Sequence, residues 1–126
     1  MASGMTMTQE RRRHPRVAEQ VALAISESGQ ALQAETKNLS ASGAYCTTDR
    51  FIAPMTKLAL QFELPNGPRR ATIRCSGVVV RVEPVIAEAD RGRFNTAIFF
   101  TDLSDRDRSV IERFVRRRLS AAPSTD

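Results

Sequence analysis

The sequence predicts a mainly-β domain: a six-stranded antiparallel β-barrel followed by one C-terminal amphipathic α-helix. Three observations carry this. Short stretches of alternating apolar and polar residues recur from Val17 to Leu103, bounded by turn-forming residues, which is the pattern of half-buried strands joined tightly. After Ser104 the apolar period changes from two to the helical value of roughly 3.6. No segment repeats, so the strands and the helix form one barrel unit.

The elements follow in order. "VALAISESGQALQAET", residues 21–36, reads as a strand, a turn at Glu27–Gly29 and a second strand. "GAYCTTD", residues 43–49, is a third strand after the small-residue turn "LSASG". The strongest hairpin lies in 56–84: Leu58, Leu60 and Phe62 alternate with polar or small residues, and "PNGP" at 65–68 turns the chain. Ile73, Cys75 and Val78–Val80 continue the return strand, in which Gly77 suggests a bulge or sharp bend. "EPVIAEADRGR" is a loop, and "RFNTAIFFTDL" is the last strand. In "SDRDRSVIERFVRRRL", Ser104 is a plausible N-cap with Asp107 three residues on. Val110, Ile111, Phe114, Val115 and Leu119 then form one apolar helix face. Residues 1–9 and 120–126 read as disordered tails, leaving a single domain over 10–119.

At 126 residues the chain is long enough to bury a core without staples. Its apolar runs reach only about five residues, far short of the roughly 20 of a membrane span. The first ten residues lack the basic and apolar regions of an export signal. Cys46 and Cys75 fall in apolar alternating stretches and read as two free buried thiols. With one His and two Cys no metal site is expected, and no cofactor. No phosphate loop, nucleophile elbow or paired-carboxylate spacing appears, so the chain is not read as an enzyme. The formal charge of +5, built from 17 Arg and 2 Lys, favours anionic partners, and guanidinium forks suit phosphate.

The basic residues separate by context. Arg70 and Arg74 lie on a strand with one facing and read as a solvated face. Arg116–Arg118 complement the helix dipole at its C-terminus, as Asp105 and Asp107 do at its start. "RRRHPR", residues 11–16, stands directly before the first strand, with Pro15 opposing a helix. Downstream, "NLSASG" at 38–43 offers the short polar side chains of Asn38 and Ser40. Its Gly43 allows a positive φ or the close approach of a ligand.

Taken together, an N-terminal R-x-x-x-R, a strand pair, [D/N]-x-S-x-x-G and a barrel resemble the PilZ domain family of cyclic di-GMP receptors. The pieces here are "RRRHPR" and "NLSASGAYC", and the resemblance covers about residues 9–119. "SGVVVRVEP", "TAIFFTDLS" and the closing helix are similar to the family's central strand, last strand and helix. The resemblance implies a split-barrel fold, cyclic di-GMP as ligand and a bacterial cytoplasmic setting. It makes 10–16 a ligand-clamping segment that orders against the barrel when nucleotide binds. Arg12 and Arg16 then take phosphate and guanine contacts, Asn38 meets a guanine Watson–Crick edge, Ser40 bonds a phosphate or base, and Gly43 shapes the turn. Arg11, just before the motif, is associated in the family with a stacked dimer of the nucleotide. Arg13 and His14 are expected to be solvent-facing supports. Signalling through a lone domain implies a downstream protein partner, not identified by sequence, or self-association.

Two positions depart from the family pattern. Asn38 replaces a frequent Asp and has one acceptor oxygen, which implies weakened affinity. Ala97 stands where a glycine often precedes the final strand's apolar residues. The rival readings are a PilZ-like scaffold acting by protein contacts alone and a small basic nucleic-acid-binding barrel. The second wants exposed aromatics for stacking, whereas Tyr45 is the only Tyr and most of the six Phe sit at alternating core-type positions.

Overall fold

A computed structural model describes residues 16–87 and 91–121. The predicted tail 1–9, Arg11, Arg12 and residues 122–126 of the second tail lie outside the described residues. Six strands form a closed antiparallel barrel: β1 (Ala22–Glu27), β2 (Gln30–Leu39), β3 (Gly43–Thr48), β4 (Lys57–Asn66), β5 (Arg69–Pro84) and β6 (Phe94–Phe100). Their order around the barrel is β1-β2-β3-β6-β5-β4, and the pairing of β1 with β4 closes it. One helix, α1 (Asp105–Ala121), follows and continues two residues beyond the predicted domain end. No helix among the described residues is long and apolar enough to cross a membrane.

Alternation dictates the core. Leu23 and Ile25 of β1 pair with Ala34 and Leu32 of β2, and all four point inward. Leu58, Leu60, Phe62 and Leu64 fill the barrel from β4, while the intervening Lys57, Ala59, Gln61 and Glu63 are exposed. Phe62 stacks on Phe100 with ring centroids 6.0 Å apart. The buried hydroxyls of Thr48 and Thr96 satisfy one another at 3.0 Å. The β1–β2 turn narrows to Ser28 and Gly29, with φ of 51° and 83°, the pair of positive values a two-residue hairpin turn requires.

Three expectations need correction. Gly77 is not the bulge of β5: the register shift against β6 falls between Val79 and Arg81. Gly77 serves close packing instead, since a Cβ there would sit 2.7 Å from Ile98 Cγ2 and 2.9 Å from Leu60 Cδ1. Leu119 is 47% exposed, because the apolar face of α1 ends with Val110, Ile111, Phe114 and Val115, which join the barrel core. Phe51 and Phe99 are also exposed and Phe94 is only half-buried, so three of the six Phe are not core residues.

The helix starts as the sequence suggests, with Ser104 Oγ accepting from the Asp107 amide at 3.0 Å. Removing that cap with Ser104→Ala is expected to cost about 1 kcal/mol and to lower the melting temperature by about 4 °C in thermal unfolding. At the other end Arg118 lies over the Phe114 ring, 4.8 Å from its centroid, and pairs with Glu19 at 3.3 Å. Arg70 and Arg74 bond the neighbouring strand's Glu63 and Gln61 on the solvated face.

Both thiols are free, Cys46 fully buried and Cys75 half-buried. Burial pushes Cys46 from an ordinary value of 9.0 up to about 12. Burial acts first on Cys75 as well, with Asp102 and Asp107 adding to the rise. A folded-state pKa above the unfolded one binds its proton more tightly in the native state. The associated stability is therefore complete below pH 9 and is lost as pH climbs toward 12. Native protein at pH 8 should leave Cys46 unreacted with a disulfide-exchange reagent, and both thiols should react once urea unfolds the chain.

Candidate ligand-binding face

The candidate site begins where the chain joins the barrel. Val17 and Leu39 exchange both backbone hydrogen bonds, each 3.0 Å, so the end of the arginine segment is pinned beside the end of β2. That pairing carries Arg16 over the second motif, and its Nη1 donates to Asn38 Oδ1 at 3.0 Å. The two motifs, 22 residues apart, are thereby in direct contact. A guanidinium has only donors, so the amide must present its oxygen to Arg16 and leave its NH₂ for another acceptor. The contact is exposed. Elsewhere on the described residues, four open grooves of about 440 to 590 Å³ are lined by other residues.

Ser40 and Gly43 are brought beside this contact, with the Ser40 side chain turned inward. Ser40 is fully buried; its Oγ accepts from the Ser42 amide at 3.1 Å and its amide donates to the Gly43 carbonyl at 3.0 Å. These are the contacts of a turn brace. Gly43 is not among the residues with positive φ. It is glycine because a Cβ would lie 2.1 Å from the Ile98 carbonyl oxygen of β6. The Ser42 carbonyl accepts from the Phe100 amide at 2.9 Å, stitching the turn to β6. Arg108 of α1 reaches to within 3.5 Å of the Ala41 carbonyl, a link between helix and turn that no spacing in the sequence announced.

The outer face around Asn38 is set by register. Asn38 lies opposite Tyr45 on β3, Tyr45 opposite Ala97 on β6, and Ala97 opposite Arg81 on β5. The methyl of Ala97 is half-buried in this row. The arrangement puts the Arg16 guanidinium, the Asn38 amide and the half-buried Tyr45 and Ala97 on one outer face, which suits an anion carrying planar bases. No cluster of His, Cys, Asp or Glu that could hold a metal occurs among the described residues.

A closed six-stranded barrel with an R-x-x-x-R end bonded to an N-x-S-x-x-G turn defines a distinct class of small barrel domain. The family model described as PilZ domain matches residues 10–117, and the chain belongs to that family. Solved structures share the fold at low identity. Bacillus subtilis inhibitor of motility (MotI/DgrA) superposes with TM-score 0.78 at 17% identity, over 90% of this chain and 54% of that one. The K. pneumonia MrkH–c-di-GMP complex gives 0.63 at 19% identity, over 89% and 54%. The PilZ domain of Escherichia coli YcgR, solved with c-di-GMP, gives 0.57 at 15% identity, over 89% and 99%. The chain spans about half the length of the first two. No curated protein sequence matches it.

Proposed function

We propose that this protein is a bacterial cyclic di-GMP receptor that works in the cytoplasm, without enzymatic activity or a cofactor. The observation that carries this is the 3.0 Å contact between Arg16 and Asn38, which unites the two motifs on one outer face. MrkH and the YcgR PilZ domain, similar in fold, are both solved with c-di-GMP, which supports the reading.

The ligand brings two phosphates and two guanines. Arg16 bonds Asn38 through Nη1, and its remaining donors can pair with a phosphate or with the O6/N7 edge of guanine. Arg12 and Arg11 supply further forks from segment 10–16, which closes over the nucleotide as a clamp; Arg11 adds the stacking plane for a second, intercalated nucleotide. The ordering of that segment costs entropy and changes the surface a downstream protein meets. Ser40 and Gly43 act by holding the turn that presents Asn38. With Oδ1 committed to Arg16, Asn38 offers mainly its NH₂, which accounts for an expected loss of affinity relative to a carboxylate.

Displacement of a fluorescent cyclic di-GMP tests the reading. Unlabelled cyclic di-GMP should compete, whereas GMP and duplex DNA should not, and the salt dependence should be shallow. Displacement by DNA with a steep salt slope would favour the nucleic-acid barrel; no binding of the probe would favour the scaffold.

A further inference from the structure

Phe99 is an exposed aromatic on a strand whose next aromatic residue, Phe100, serves the core. It sits between the buried Ile98 and Phe100, so its ring faces outward, and it is 50% exposed. Its lateral neighbours are Gly43 on β3, which carries no side chain, and Val78 on β5. Val80, lifted out at the β5 bulge, is 54% exposed beside them. Tyr45 and Ala97 continue the strip to Asn38. Ala97 lies two strands, about 10 Å, from Asn38, and Phe99 one outward-facing step further along β6, about 7 Å. The strip is thus continuous with the Arg16–Asn38 contact. Arg81, itself exposed and 3.9 Å from Glu83, borders it on the far side.

We infer that Tyr45, Val80 and Phe99 form an apolar shelf on which a base of the bound nucleotide lies flat. The inference rests on the function proposed above and extends it to residues outside both motifs. A planar apolar strip flanked by guanidinium groups matches a purine face attached to a phosphate. An aromatic ring is the side chain that such a base stacks on best.

Tyr45 is the only tyrosine and the chain has no tryptophan, so tyrosine emission reports this shelf alone. Titration of cyclic di-GMP into the intact protein should quench that emission saturably. Phe99→Thr should weaken binding about 10-fold, with a melting temperature within about 3 °C of the parent because the ring is half exposed. Phe99→Trp should retain affinity, and its new indole emission should fall on binding. Wild-type affinity in Phe99→Thr, with unchanged Tyr45 emission on binding, would overturn the shelf alone and leave the receptor reading standing. Failure of the parent protein to bind would overturn the receptor reading and the shelf with it.

Discussion

Gly43→Ala is expected to lower the melting temperature by roughly 10 °C, because its added methyl meets the closest neighbour of any described glycine. The added Cβ would lie 2.1 Å from the Ile98 carbonyl oxygen, a backbone atom that cannot rotate away. Relief requires β3 to move off β6, and overpacking of that kind costs about 3 kcal/mol. The same movement pulls on the Ser42–Phe100 hydrogen bond that stitches the turn to β6. Gly29 is the control: its φ is 83° but nothing lies within 4 Å of a Cβ there. Gly29→Ala should therefore cost only the left-handed backbone penalty of about 1 kcal/mol. Thermal unfolding of both variants separates the two causes. A Gly43→Ala protein that melts within about 3 °C of the parent would contradict the close-approach explanation.

Arg16→Ala is expected to weaken cyclic di-GMP binding about 100-fold while shifting the melting temperature by no more than about 2 °C. Charge-assisted hydrogen bonds to a phosphate or a base edge are each worth about 1.5–3 kcal/mol, and about 2.8 kcal/mol corresponds to two decades of affinity. The contact Arg16 makes in the free protein is exposed and, among the described residues, links it to Asn38, so little stability rides on it. Arg16→Lys should recover only a small part of the affinity, because an ammonium cannot reproduce the planar fork. Competition binding reads both variants directly. An Arg16→Lys protein with parental affinity would show that charge alone, without fork geometry, does the work.

Much of the fold was legible because a barrel wall imposes period two on every strand, and β1 to β6 each show it. The Ser28–Gly29 turn and the Ser104 cap were legible for a similar reason, since each depends on residues within a few positions of one another. What failed to show were consequences of neighbours distant in sequence. Gly77 and Gly43 are glycine because β6 passes close by, which no local pattern records. Leu119 keeps helical spacing, yet the core it would reach ends a turn earlier. Phe99 keeps strand alternation, and only the burial of Ile98 and Phe100 reveals that it takes the outer phase.

The candidate site divides along the same line. The motif spacing pointed to Arg16 and Asn38, and their side chains meet. The inward turn of Ser40 was hidden, because N-x-S-x-x-G does not say whether the hydroxyl faces the ligand or the loop. The reach of Arg108 to Ala41 was hidden as well, since it depends on how α1 packs.

Isothermal titration of cyclic di-GMP into the intact chain, run beside an Arg12→Ala, Arg16→Ala double variant, measures the proposed activity without a label. Saturable binding at micromolar or lower concentration that disappears in the double variant is the expected result, with two nucleotides per chain if Arg11 supports a stacked dimer. Absence of binding heat in the intact protein, or equal binding by the double variant, would contradict the receptor reading.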